Sequence, residues 1–260
     1  MVLTFPYYDP SGKYNQALQR QLATLKSSFD GICLSVAPPT SEDNATFIQH
    51  LEEQGCFVSH NASGTSHAHH SREALRLAAE HAPTRQPIFF GFMERILFAL
   101  ETEWRTSFLQ DLQAYQANEF VVFERSSEAW DTHPANFREI ENMLSRMAEF
   151  MHGEFLDLMP CAFILSYATA NVILNQSVSA STDVWGEWVL LAIKNHVPTT
   201  RPKVNWLAWK EAYWEGIEPN ELKRQREASQ GETIKRIKMN VPAMLMLTEE
   251  RFKQLQTESA

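Results

Sequence analysis

Four histidines, His60, His67, His69 and His70, fall within eleven residues, and imidazole is the commonest nitrogen ligand for zinc. Such a cluster could serve a metal hydrolase. It has no HExxH spacing and no regular Cys/His pairing, and the alternative is a polar loop in which His67 and His70 touch a ligand. A second constellation, Thr182-Asp183-Val184-Trp185-Gly186-Glu187-Trp188, sets two acids four residues apart. On a helix that spacing turns Asp183 and Glu187 to one face, where both look toward the same cleft. Against this, Thr182 or Asp183 has the chemistry of a helix cap, whereas Glu187 interrupts an otherwise apolar run. Five of the seven tryptophans (Trp185, Trp188, Trp206, Trp209, Trp214) lie between residues 185 and 214. Indole faces stack on sugar CH surfaces, and they fill cores equally well.

These groups need a scaffold, and the first ninety residues provide a regular one. Val2–Phe5 reads as a short strand, followed by a loop rich in turn residues (Pro6, Asp9, Pro10, Gly12). Tyr14, Leu18, Leu22 and Leu25 then recur at helical spacing. Gly31–Ala37 is a buried-strand run stopped by Pro38-Pro39, and Phe47, Ile48 and Leu51 mark a second helix with Asn44 as its cap. Cys56–Ser59 is a third-strand candidate, Ser71–His81 a helix, and Pro87–Phe92 a fourth strand. Strands alternating with helices over short connections imply parallel strands and right-handed crossovers. Ligands of such sheets bind beyond the carboxyl ends of the strands, so the loops to watch are Pro6–Lys13, Pro38–Asp43, His60–His70 and the turn after Phe92.

The middle of the chain is more helical. One apolar face runs from Glu94 to Gln113, Glu119–Glu124 reads as a strand, and a helix through Phe137, Leu144 and Met151 is closed by Gly153. Phe155–Gln176 fits a strand turning into a helix, or one long buried helix. Val184–His196 is a helix and Lys203–Trp209 a late strand. Residues 218–260 are charged, broken by Gly231 and Pro242, and carry one apolar patch at Val241–Leu247.

Residues 60–101 place a Gly-bearing loop before a helix that starts near Arg72, then the strand PIFFGF, then Met93-Glu94-Arg95. Together with the opening strand, its Pro/Tyr/Asn loop and the Leu-spaced helix, this resembles the nucleotide-sugar-binding half of glycosyltransferases of the GT-A fold. The resemblance covers residues 2–101 well and 155–215 loosely. It implies a Rossmann-like, mostly parallel α/β sheet flanked by helices, over 1–217: 1–101 would be the nucleotide-sugar half and 102–217 the acceptor half. Residues 218–260 are expected to form a helical appendage. It implies transfer of a sugar from a nucleotide-sugar donor to a hydroxyl acceptor, with Tyr8 and Asp9 in the base-binding loop and Arg72, Arg95, His67 and His70 near the donor phosphates. Asp183 or Glu187 would act as the acceptor-side acid, deprotonating the hydroxyl in an inverting enzyme.

In that family the fourth strand ends in an Asp-x-Asp motif holding Mg²⁺ or Mn²⁺ against the diphosphate. Here the motif reads Phe92-Met93-Glu94, so Glu94 is the one carboxylate left for a metal. The departure equally suits a non-catalytic nucleotide-sugar binder on a diverged fold. Each residue also has a plainer reading: Arg72 as a salt-bridge partner, Glu94 as a first-turn acid favourable to the helix dipole, Asp9 as a turn former.

Composition bounds the rest. The formal charge is −9, its excess concentrated in residues 81–217, which argues against tracking a nucleic-acid backbone. With 44% hydrophobic residues the chain can bury a core. Three scattered cysteines (Cys33, Cys56, Cys161), no signal-peptide pattern and no membrane-length apolar run lead to the expectation of a soluble cytoplasmic protein.

Overall fold

The computed structural model describes residues 1–38, 42–82, 86–160 and 162–258, with side chains to residue 249. Pro39 and Cys161 lie outside the described residues. The order of elements begins β1 (Val2–Tyr7), α1 (Asn15–Ser28), β2 (Gly31–Val36), α2 (Glu42–Glu53), β3 (Phe57–His60), α3 (His67–His81), β4 (Ile88–Gly91). It continues with α4 (Met93–Glu101), α5 (Arg105–Tyr115), β5 (Phe120–Val122), β6 (Glu124–Arg125), α6 (Ser127–Thr132), α7 (Ala135–His152) and β7 (Ala162–Leu165). It closes with α8 (Tyr167–Gln176), α9 (Val184–Lys194), β8 (Thr199–Thr200), β9 (Lys203–Val204), α10 (Glu211–Glu215), α11 (Pro219–Ala228) and α12 (Gln230–Glu258).

Among the described residues seven strands form one sheet in the order β3-β2-β1-β4-β7-β5-β8, and β6 pairs with β9 apart from it. All pairings are parallel except those of β7, which runs antiparallel to β4 and β5. This is the mostly parallel α/β sheet flanked by helices that the sequence implies.

The chain winds outward from β1 to β3, then returns to place β4 on the other side of β1. The sheet therefore changes winding direction between β1 and β4, where such sheets open a crevice. Pro6 is compatible with this place. The Val2 N–H donates to the Pro87 carbonyl at 2.9 Å, so the even-numbered residues of β1 point their N–H toward β4. That pairing ends at Thr4↔Phe90, and the N–H missing at Pro6 falls just beyond it.

Two cores sandwich the sheet. One joins α1, α2, α4 and α5 through residues such as Leu18, Leu22, Ile48, Leu97 and Phe108. The other joins α3, α7, α8 and α9 through Leu75, Leu144, Ile173 and Trp188. α9 approaches closely because of Gly186: a Cβ there would lie 2.8 Å from the Leu158 carbonyl oxygen.

Several boundaries differ from the sequence reading. The helix expected over 94–113 is two, parted at Thr102–Trp104, because Thr102 is extended and its hydroxyl turns back to the Phe98 carbonyl. Asn44 lies inside α2, its amide donating to the Asp9 carbonyl at 2.6 Å rather than capping the helix. The late strand stops at Val204, since the following turn is pinned by side chains described below. Phe155–Gln176 resolves as a strand then a helix. Residues 218–258 are helical, and Ala243 and Leu247 are wholly buried in the second core, so α12 is packed into the body.

Candidate functional site

A cavity of about 360 Å³ opens at the β1/β4 crevice. Its wall begins at the end of β1 with Pro6, Tyr7 and Tyr8, crosses the first turn of α3 with His67 and His70, and reaches Phe92, Glu94 and Arg95 at the start of α4. The first turn of α3 is set by Ser66, whose hydroxyl accepts from the His69 N–H. Tyr7 is buried and donates to Asn15 Oδ1 at 2.6 Å; Tyr8 is 66% exposed, its ring edge-on to His67. His70 Nε2 lies 2.9 Å from Thr65 Oγ1, and burial, then His69 and His67, lower its pKa.

The opposite wall comes from segments far along the chain: Arg125, His133, Glu141, Trp185, Trp209, Lys210, Glu211 and Arg236. Arg125 is buried between Glu141 Oε2 at 2.5 Å and Asp157 Oδ2 at 2.9 Å, and stacks over Trp130. Arg236 of α12 reaches the other Glu141 oxygen at 2.9 Å. The Lys210 ammonium sits between two carboxylates, 3.4 Å from Glu94 Oε1 and 3.2 Å from Glu211 Oε1. Burial would raise the Glu211 pKa, but Lys210, then Arg95 and His133, bring it down to about 2. Arg95 donates through Nη1 to the Leu207 and Ala208 carbonyls at 3.0 and 2.8 Å. Of these four cations it alone makes no direct ion pair with a carboxylate among the described residues, although its charge acts on Glu211.

His133 is 3% exposed. Its Nδ1 lies 2.9 Å from the Ala129 carbonyl oxygen, which can only accept, so Nδ1 carries the proton and Nε2 keeps a lone pair. Burial, then Arg125 and Arg95, push its pKa well below the ordinary value, which keeps the ring neutral.

The residues singled out from sequence divide into two groups. Tyr8, His67, His70, Glu94 and Arg95 come together in this cavity. Asp9, Arg72, Asp183 and Glu187 do not line it. Asp9 is buried and accepts from the Lys13 and Tyr14 N–H groups at 2.9 and 2.7 Å, making the turn into α1. Arg72 donates to the Ser179 carbonyl at 2.5 Å and to Ser177 Oγ, so among the described residues it ties a loop rather than pairing with a carboxylate. Glu187 holds that same loop, accepting from Ser177 Oγ and from the Val178 and Ser179 N–H groups, and Asp183 accepts from Ser179 Oγ at 2.5 Å. Both acids line a separate cavity against Pro242 and Met246 of α12. Their shared helix face is real, but it looks away from the crevice; Trp185, between them, looks into it.

Phe92, at the place of the motif's first acid, packs edge-on against Trp185 at 4.9 Å. The four histidines do not converge: His60 pairs with Glu52, and among the described residues no three His, Cys, Asp or Glu side chains are placed to share a metal ion. Arg125, His133, Glu141, Lys210, Glu211 and Arg236 carried no signal in the sequence, since no spacing rule connects them.

An α/β sheet with a mixed-charge cavity at its change of winding direction is the class that fold and site define. Comparison with solved structures agrees on the fold. A mycobacterial protein superposes with a TM-score of 0.50 at 10% identity, over 78% of this chain and 64% of that one. A Desulfovibrio desulfuricans protein provisionally named a nucleotide-diphospho-sugar transferase gives 0.46 at 12%, over 95% and 96%. Glucosyl-3-phosphoglycerate synthase from Mycobacterium tuberculosis, crystallised with Mn²⁺, UDP and phosphoglyceric acid, gives 0.46 at 9%, over 77% and 66%. The likeness to the mycobacterial protein is one of fold; the other two superpose more loosely. The chain spans about two thirds of the length of the two mycobacterial proteins. No protein-family model matches the chain, and no curated protein matches it in sequence.

Proposed function

We propose that this protein binds a nucleotide-sugar and transfers its sugar to a hydroxyl acceptor. One observation carries the reading. A single cavity gathers the end of β1, the first turn of α3 and the start of α4, the same three segments that the resemblance to GT-A glycosyltransferases assigns to the base, the phosphates and the metal. Tyr8 offers an exposed ring for a base, and His67 and His70 lie beside it. Arg95 is the cation available to a diphosphate, where it would offset charge developing on the leaving phosphate.

The donor set suits a divalent cation only in part. Glu94 faces the cavity but already meets Lys210, and Phe92 contributes no ligand. Mg²⁺ is commonly held by one or two carboxylates together with substrate phosphates, and Glu94 meets that minimum. Mg²⁺ or Mn²⁺ bound there would neutralise the diphosphate. Lys210 supplies part of the same neutralisation without it.

The second reading, a nucleotide-sugar binder without turnover, is favoured by Phe92 and by the Lys210–Glu94 contact. Calorimetry with UDP, GDP and their sugars, with and without Mn²⁺, separates the two. Donor turnover with an acceptor supports the enzyme, binding without turnover supports the binder, and no binding removes both. Buried free thiols at Cys33, pushed up to about 12 by burial, and Cys56 favour a reducing compartment, and we place the protein in the cytoplasm. No helix among the described residues is long and apolar enough to cross a membrane.

A further inference from the structure

We infer that Trp209, His133 and Glu211 form a subsite for the hydroxyl groups of a neutral sugar at the far end of the cavity. Three buried polar atoms there have no hydrogen-bond partner among the described residues: His133 Nε2, Glu211 Oε2 and Trp209 Nε1. All three side chains line the cavity. Unpaired buried polar atoms cost free energy, so three in one place call for a partner, water in the free protein and a ligand hydroxyl in the complex.

The chemistry of that ligand follows from the set. His133 Nε2 and the Glu211 carboxylate oxygen can only accept, and the indole N–H can only donate. A hydroxyl does both, and a sugar ring carries several around an apolar face that stacks on indole. Three of the cations nearby are already matched, Lys210 by Glu94 and Glu211, Arg125 by Glu141 and Asp157, and Arg236 by Glu141, so the charge an anionic group would meet is that of Arg95, outside this set of three.

The subsite is held rigidly. The Trp209 backbone N–H donates to Thr132 Oγ1 at 2.7 Å, and that hydroxyl donates to Ala129 O at 2.6 Å, the carbonyl that also fixes His133. Arg95 ties the preceding turn through Leu207 and Ala208. The assignment rests on the nucleotide-sugar reading only for which sugar arrives: the donor's own glycosyl group or a free acceptor.

Protein labelled with ¹⁵N-histidine is titrated with glucose, galactose, mannose and N-acetylglucosamine, with UDP, and with UDP-glucose. The His133 Nε2 resonance, recognised by its loss in His133→Gln, should move with a sugar and not with UDP alone. A response to free sugars marks an acceptor site; a response to UDP-glucose alone marks the donor's sugar. In parallel, calorimetry on Trp209→Phe and Glu211→Gln should show sugar affinity down about tenfold with UDP affinity unchanged. An unmoved resonance with every sugar and with UDP-glucose, or variants that bind sugar like the parent, overturns the subsite. If UDP fails to bind while a free sugar still moves His133, the nucleotide reading falls and the subsite stands. If UDP binds and no sugar reaches His133, the subsite alone falls.

Discussion

Lys210 Nζ lies 3.4 Å from Glu94 Oε1, joining the turn before α10 to the first turn of α4 across the mouth of the crevice. The one carboxylate that the sequence leaves for a metal is thus already in contact with a cation of the protein. Any divalent ion arriving with a diphosphate must share Glu94 with Lys210.

Glu94→Gln should therefore weaken the Mn²⁺-dependent part of UDP binding by about tenfold, about 1.4 kcal/mol, while metal-free UDP binding changes little. Lys210→Met should strengthen the Mn²⁺-dependent part. Calorimetry in paired buffers measures both, and indifference to Mn²⁺ in parent and variants alike would remove the metal from the site.

Arg72→Ala should act on stability and spare nucleotide binding. It removes charge-assisted hydrogen bonds to the 177–181 loop, a loss of about 1.5–3 kcal/mol. Urea unfolding reads the loss. A UDP affinity reduced tenfold in a folded variant would restore the phosphate role.

Glu187→Gln leaves the Val178 and Ser179 N–H groups with a weaker acceptor, and destabilisation of roughly 1–3 kcal/mol is expected. Sugar transfer by the surviving folded fraction should match the parent. Selective loss of turnover with unchanged stability would return Glu187 to catalysis.

Arg125→Met takes the cation from buried Asp157 and leaves buried Glu141 to Arg236 alone, and should cost about 3–5 kcal/mol. Because Arg236 of α12 shares Glu141, hydrogen exchange in α12 should rise in the same variant. A protected α12 would show that this helix holds by its apolar face alone.

Acid should weaken the fold in a defined window. His133 binds a proton less readily folded than unfolded, because burial and then Arg125 and Arg95 oppose its charge. Between its unfolded value near 6.5 and its lower folded value, the unfolded chain holds the extra proton, so stability falls as pH falls and is full above that window. His70 acts with the same sign. Glu124, raised by burial, acts with the opposite sign at lower pH. Melting temperatures from about pH 7 to 5 should decline in the parent and more shallowly in His133→Gln; parallel slopes would show that His133 takes no part.

The sequence by itself determined the scaffold. Leu18, Leu22 and Leu25 could face only a core, and the alternation from Val2 to Phe92 left a parallel sheet as its economical reading. It also pointed to Tyr8, His67, His70, Glu94 and Arg95, which gather in one cavity beyond the strand ends, although His67 and His70 lie on the first turn of α3 rather than in the loop expected before it. Only the tertiary structure decided what Asp183 and Glu187 face. Helical spacing fixes that two side chains share a side, but the direction of that side depends on how α9 packs against its neighbours, and here it turns to the 177–181 loop. The far wall was equally out of reach: Arg125, His133, Lys210 and Arg236 meet only when α6, α10 and α12 converge on the crevice. The net charge of −9 hid this, since the cations that matter are buried beside carboxylates and nearly cancel in any sum over the sequence.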